Sequence, residues 1–234
     1  MIKKEIGIYK INYSESLEEL INATIELLEH KTKEYENLFN IQIKEIKINY
    51  FDNIETFRKF IYEIRQENSL PEYATGTYDE GMINAYIEKE KQLKRIFTAS
   101  HELFHILYMK YILDNDYSKR IVWYDEGMAQ YMSGEKDKFK DEEKFKEFYQ
   151  KVKEKTKLIP SLNELEHGNA FCNDNYNGYD LSYLSIKYLA ETLDEKEFTN
   201  LMSDFNQIKE KGKNIVNEMF EYYNSKYKIK NGLL

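Results

Sequence analysis

Residues 101–105, His-Glu-Leu-Phe-His, have the residue types and spacing that most directly suggest chemistry in this chain. Residues four apart lie on one face of a helix, so His101 and His105 can direct two imidazoles to one point. Glu102 is one position further round and reaches the same space without being a ligand. This H-E-x-x-H arrangement combines two zinc ligands with a general base, as metal-assisted hydrolysis requires. The alternative is a pair of half-buried histidines on a core helix.

Glu126 is a suitable third ligand. A catalytic zinc has three protein ligands and keeps one position open for water. Glu126 lies 21 positions after His105, on a second predicted helix, and Gly127 beside it has no side chain, so the two helices can approach closely. We therefore predict one zinc ion per chain, held by His101, His105 and Glu126. Cys172, the one cysteine, is not expected to be a ligand because this set is already complete.

The segments HELFH and WYDEGMAQY together resemble the gluzincin metallopeptidases. In that group H-E-x-x-H is followed, after about twenty residues, by a zinc-binding Glu in W-x-x-E-G-x-A. The likeness is strongest to the small bacterial domains of the peptidase MA-like family, relatives of the aminopeptidase N and thermolysin catalytic domains. The resemblance implies a zinc-dependent hydrolase that acts on a peptide or protein substrate, with Glu102 as general base.

The resemblance also implies a donor for the oxyanion that forms during hydrolysis. The segment YDLSYLSIKYL is similar to a later helix of the family that opens with a tyrosine near a small residue. On that match Tyr179 is the oxyanion donor. Tyr176, Tyr183 and His167 are the competing candidates. For each tyrosine the alternative is a packing role.

Two further sets of residues follow from the same resemblance. A residue one turn after the third ligand often accepts the second ring N–H of a zinc-bound histidine, and here that residue is Gln130, with Asp125 as the other candidate. An edge strand before the zinc helix binds extended peptide by main-chain pairing. By position Ala74, Thr75 and Gly76 would supply it, with the strand over 83–87 as the alternative.

The type of peptidase is predicted from a motif that is missing. Related aminopeptidases carry a G-x-M-E-N-type stretch before the zinc helix, in which the Glu binds the substrate amino terminus. The corresponding stretch here, ATGTYDEGMINAYIE, has Glu80, Gly81 and Met82 but not that order. We therefore expect an endopeptidase or a narrow-specificity peptidase.

Composition excludes some classes of protein. The net charge is −8, with no dense basic patch, so nucleic acid is not an expected partner. No stretch approaches the length of a membrane span, and no membrane partner is expected. The first residues lack the apolar core of a signal peptide, which predicts a cytoplasmic protein. A secreted domain from which a leader has been removed is the alternative.

The pattern along the chain predicts a single α+β domain of thermolysin-like type. Residues 1–90 read as a mixed α/β lobe with a largely antiparallel or mixed sheet, including a weak strand over 1–12. Residues 91–234 read as an all-helical lobe, with the zinc helix over 91–113 and the zinc site in the cleft between lobes. A charged helix is expected over 136–156 and a last helix over 207–226.

Two other functions stay open. A module that keeps the fold but recognises peptides without cleaving them would contain the same ligands. Hydrolysis of a non-peptide amide is a third option. The presence of Glu102 favours an enzyme, because a purely structural zinc site needs no general base.

Overall fold

The computed structural model describes residues 1–66, 75–79, 81–88, 90–91, 95–165 and 170–228. The chain divides into two compact units, Met1–Leu107 and Tyr108–Leu234. The division falls inside one helix, which therefore contributes to both units. The predicted α+β class is confirmed, because a mixed sheet comes first and helices follow.

A five-stranded mixed sheet is the base of the first unit. Its strands are β1 (Ile2–Ile6), β2 (Tyr9–Tyr13), β3 (Ile46–Phe51), β4 (Gly76–Asp79) and β5 (Met82–Tyr86). The order across the sheet is β1-β2-β3-β5-β4. The two outer pairs are antiparallel, and the pairs β2–β3 and β3–β5 are parallel. Among the described strands, this order makes β4 an edge strand.

The single strand expected over residues 1–12 is wrong, since these residues form the hairpin β1–β2. The reversal occurs at Gly7, whose φ of +57° is in the left-handed region. Glycine adopts this conformation without the clash that a Cβ would cause.

The described residues of the first unit also form three α-helices. They are α1 (Glu18–Phe39), α2 (Ile54–Arg65) and α3 (Thr98–Tyr111), the last of which crosses the division between the units. Asn53 caps α2 by accepting a hydrogen bond from the Thr56 amide, and α2 buries Phe57 against Phe51 of β3. The helix α3 begins later than the predicted start at residue 91, and residues 92–94 lie outside the described residues.

In its described residues, the second unit is helical apart from one short hairpin. Its elements are α4 (Val122–Met132), α5 (Glu142–Lys155), β6 (Cys172–Asn173), β7 (Tyr176–Asn177), α6 (Gly178–Thr192), α7 (Glu195–Leu201), α8 (Phe205–Gly212) and α9 (Ile215–Tyr227). The helices α4 and α6 pack closely at Gly127, where an added Cβ would lie 2.7 Å from the Ser182 carbonyl oxygen. Gly127 therefore allows close approach to α6, a partner that the sequence did not predict.

Two predicted helices of the second unit are interrupted. The charged segment 136–156 breaks before α5, where Asp141 accepts a hydrogen bond from the Lys144 amide and so caps a new helix. The segment 207–226 is divided into α8 and α9 at residues 213–214. Among the described residues, no helix has both the length and the apolar character needed to cross a membrane.

Candidate metal centre

The helix α3 presents His101 and His105 one turn apart. Their Nε2 atoms are 3.2 Å apart, and His105 is buried. The apolar residues of α3 face the core, with Ala99, Leu103 and Phe104 all buried. Ala99 and Leu103 are four residues apart and therefore lie on one side of the helix, while the two histidines share another side.

Contacts from α1 fix α3 in place. The Tyr35 hydroxyl lies 3.0 Å from both the carbonyl oxygen and the Oγ of Ser100. The Phe104 ring packs against the rings of Tyr35 and Phe39, with centroids 6.1 and 5.8 Å away. Ser100 directly precedes His101 and Phe104 directly precedes His105, so these buried contacts limit the movement of the imidazoles.

Glu126 on α4 joins the two histidines to make a group that could hold a metal ion. One ligand atom from each of His101, His105 and Glu126 lies within 4.8 Å of the others. Two imidazole nitrogens and one carboxylate oxygen match the donor set that zinc accepts, and three protein ligands leave one position open. Among the described residues, this is the one group of three or more His, Cys, Asp or Glu side chains whose ligand atoms lie close enough together to hold a metal ion.

The Glu126 carboxylate is held by a residue that the sequence did not single out. Arg120 Nη2 donates to Glu126 Oε1 at 2.9 Å, and Arg120 Nε donates to Asp125 Oδ2 at 2.5 Å. The Asp125 side chain is fully buried. The burial of Tyr108, together with the nearby charge of Asp125, raises the pKa of the Tyr108 hydroxyl. The proposed hydrogen bond from a histidine to Asp125 stays a prediction. No motif could have identified Arg120, since it lies in an irregular segment before α4.

Gly76 of the edge strand β4 faces Glu102. A Cβ at Gly76 would lie 2.8 Å from Glu102 Oε1, so only glycine leaves this space to the carboxylate. Two residues on, the Tyr78 ring stacks on His105, with centroids 6.0 Å apart. Thr75 accepts a hydrogen bond from the Tyr86 amide at 2.7 Å, and Ala74 lies outside the described residues.

The opposite face of β4 is attached to α2 through Arg65. Arg65 Nε donates to Asp79 Oδ1 at 2.6 Å, and its Nη2 donates to Thr77 Oγ1. Because side chains alternate along a strand, these contacts leave Gly76 and Tyr78 on the other face, toward α3. Asn84 of β5, also buried, hydrogen-bonds Asp79 at 3.4 Å and extends this polar contact into the sheet.

Tyr179 is the second residue of α6 and is 38% exposed. Its ring packs edge-on against Phe171, with centroids 4.7 Å apart. Gln130 Nε2 donates to the Tyr179 carbonyl oxygen at 3.0 Å, so the amide of Gln130 connects α4 to the start of α6. The hydrogen bond expected between Gln130 and a histidine stays a prediction.

The competing oxyanion donors have different surroundings. Tyr183 is buried, and desolvation raises the pKa of its hydroxyl. The Tyr176 hydroxyl donates to the Ala170 carbonyl oxygen at 3.0 Å. His167 lies outside the described residues.

The donor set of His101, His105 and Glu126 could hold a zinc ion, and the family of the chain agrees with that metal. The sequence model of the collagenase family, Peptidase_M9, matches residues 22–229 of the chain. The chain therefore belongs to this collagenase family of zinc metallopeptidases. No curated protein gives a significant match. The predictions of a metallopeptidase hydrolase and of zinc as its metal are thereby confirmed.

Proposed function

We propose that this protein is a zinc-dependent endopeptidase or narrow-specificity peptidase of the gluzincin type. The observation that carries the proposal is the convergence of ligand atoms from His101, His105 and Glu126 within 4.8 Å. The spacing of H-E-x-x-H and of Glu126 in W-Y-D-E-G-M-A supports the gluzincin assignment. Zinc bound there would lower the pKa of a water molecule to about 7 and polarise the scissile carbonyl.

Glu102 is the proposed general base. Its carboxylate accepts a proton from the attacking water and returns a proton to the leaving nitrogen. The absence of a side chain at Gly76 supports this role, because the carboxylate is then not displaced by the neighbouring strand. Burial raises the pKa of Tyr50 on β3, and the charge of Glu102 adds to this rise.

The proposed substrate is an extended peptide that adds to the edge of the sheet at β4. Its main chain would pair with the segment that includes Thr75 and Gly76 and, as predicted, Ala74. Two observations support this choice over the strand at 83–87. The strand β5 lies between β3 and β4, whereas β4 is last in the order, and Gly76 contacts the proposed general base.

Tyr179 is the proposed donor to the oxyanion. Its exposure and its place in the first turn of α6 support the role, and Gln130 restrains its backbone. Gln130 and Asp125 are further proposed to orient the zinc ligands, as residues around a metal site commonly do.

The test combines metal content with hydrolysis of a library of peptides blocked at both ends. Wild type should bind zinc and cleave internal bonds. Glu102→Gln should retain zinc and lose cleavage by at least about a hundredfold, since a general base contributes roughly 10²–10⁴ in rate. Glu63→Gln is the matched control, because Glu63 is exposed on α2 and pairs there with Lys59 at 3.9 Å.

The outcomes separate the possible functions. Zinc bound by wild type with no cleavage of any peptide would instead support a peptide-recognition module. Release of single amino-terminal residues from unblocked substrates, with blocked peptides left intact, would contradict the endopeptidase proposal.

A further inference from the structure

Arg120 lies between two acidic side chains immediately before α4. Its Nε donates to Asp125 Oδ2 at 2.5 Å, and its Nη2 donates to Glu126 Oε1 at 2.9 Å. The two acceptors are consecutive residues, and one of them is the proposed third metal ligand. A guanidinium is suited to this arrangement because its N–H donors form a rigid planar fork.

Burial makes the position of Arg120 well defined. The Asp125 side chain is 0% exposed, and that of Arg120 is 16% exposed. A buried carboxylate without a partner is strongly unfavourable, so Asp125 holds the guanidinium in place. The guanidinium is thereby directed at Glu126, whose side chain is only 14% exposed.

The backbone of Glu126 is restrained as well. Gly127 packs against the Ser182 carbonyl oxygen and the Ile186 side chain of α6, where an added Cβ would lie 2.7 Å from each. The helix that carries Glu126 therefore has little freedom to shift. The remaining freedom of the carboxylate lies in its own side-chain torsions, and the hydrogen bond from Arg120 limits these.

We propose that Arg120 is a positioning residue. Its hydrogen bond to one oxygen of the Glu126 carboxylate orients the group so that the other oxygen is the ligand atom for the metal. The inference rests on the proposed function, in which Glu126 is a zinc ligand. Asp125 then acts on the metal site through Arg120. Loss of a residue that orients a metal ligand typically weakens metal binding 10- to 100-fold.

Two simpler roles for Arg120 predict different results. If the guanidinium only neutralises Asp125, removing both charges together should leave zinc binding at the wild-type value. If the guanidinium competes with the metal for Glu126, its removal should strengthen zinc binding.

The experiment measures the zinc dissociation constant of the full chain by competition with a chromophoric chelator. Arg120→Lys keeps the positive charge but replaces the planar fork by a point charge, which cannot hold both carboxylates in the same geometry. The double variant Arg120→Met with Asp125→Asn removes both charges and leaves no buried carboxylate unpaired. Lys119→Ala is the control, because Lys119 is the adjacent cation and pairs with Asp116 at 3.7 Å.

The expected result is zinc binding weakened about 10- to 100-fold in both Arg120 variants and unchanged in the Lys119 variant. Far-ultraviolet circular dichroism of the zinc-free proteins checks that the variants are folded. Wild-type affinity in the double variant, or equal or tighter binding in Arg120→Lys, would overturn the inference while the proposed function stands. A wild-type chain that binds no zinc would overturn both.

Discussion

Replacing Gly76 by alanine is expected to slow peptide hydrolysis while zinc stays bound. The added Cβ would lie 2.8 Å from Glu102 Oε1, whereas ordinary contacts of a Cβ begin at about 3.4 Å. Gly76 is not among the glycines with positive φ, so alanine causes no backbone strain at this position. The perturbation is therefore directed at the Glu102 carboxylate.

The size of the effect follows from the displacement. The carboxylate or the strand must move by about 0.6 Å, and a misplacement of about 1 Å can reduce a rate about a hundredfold. We therefore expect kcat/KM to fall about tenfold, which corresponds to about 1.4 kcal/mol. The free energy of unfolding should change by less than about 1 kcal/mol, because the neighbouring side chain can swing away.

The assay compares kcat/KM for a blocked peptide and zinc content in wild type and Gly76→Ala. The same substitution is then made in the Glu102→Gln variant. Since both changes act through one carboxylate, the second should add little to the loss caused by the first. Gly81→Ala is the control, because it introduces strain at φ +75° with nothing within 4 Å of its Cβ.

Wild-type kcat/KM in Gly76→Ala would refute the reasoning. An equal, multiplicative loss in the Glu102→Gln background would refute it as well, since the effect would then act through another group. Gly81→Ala should lower stability by about 1–2 kcal/mol and leave the activity of the folded protein unchanged.

Three further changes test packing, strand position and charge. Gly127→Ala should lower the free energy of unfolding by about 1–3 kcal/mol in urea, because the Cβ meets the backbone of Ser182, which cannot swing away. Arg65→Met removes the anchor of β4 and should raise KM for extended peptides more than it lowers kcat in steady-state assays. Burial raises the pKa of Glu191, but hydrogen bonds such as that from Lys226 outweigh it and leave the pKa below its usual value. Urea unfolding should therefore show that Glu191→Gln loses stability at pH 7, and that the difference from wild type disappears as the pH falls through the lowered pKa.

Matched substitutions check each of these expectations. Gly7→Ala adds a Cβ with nothing within 4 Å, so its cost is backbone strain alone. The steric clash at Gly127 should make Gly127→Ala the more destabilising of the two substitutions. Lys59→Met on the exposed surface of α2 should leave KM unchanged. An equal rise in KM would show that the effect of Arg65→Met does not come from its contacts with β4. Glu210→Gln breaks an exposed pair and should change stability at pH 7 by less than about 1 kcal/mol, so a similar loss there would contradict the argument for Glu191.

The candidate metal ligands could be predicted from the sequence because their geometry is largely local. The spacing of His101 and His105 fixes their relative direction once the segment is a helix, and the apolar residues of the segment require that helix. The donor types then required a third ligand, and Glu126 was available on the next helix. The convergence of these three side chains agrees with that reasoning.

Helix ends and short hairpins were predicted less well. The hairpin β1–β2 depends on the left-handed conformation of Gly7, and the start of α5 depends on a cap by Asp141. Both are decided by one residue within an otherwise continuous pattern. Hydrophobic periodicity alone does not reveal such interruptions.

By itself, the sequence determined the class of protein and predicted the donor set for zinc and the general base, because these depend on residue type and on helical spacing over a few residues. Only the tertiary structure decided that β4 is an edge strand, that Gly76 faces Glu102, and that Arg120 connects Asp125 to Glu126. These facts depend on the order in which strands pair and on which side chains meet after packing. No local pattern encodes that information, and so the residues that hold the site in place became visible only in three dimensions.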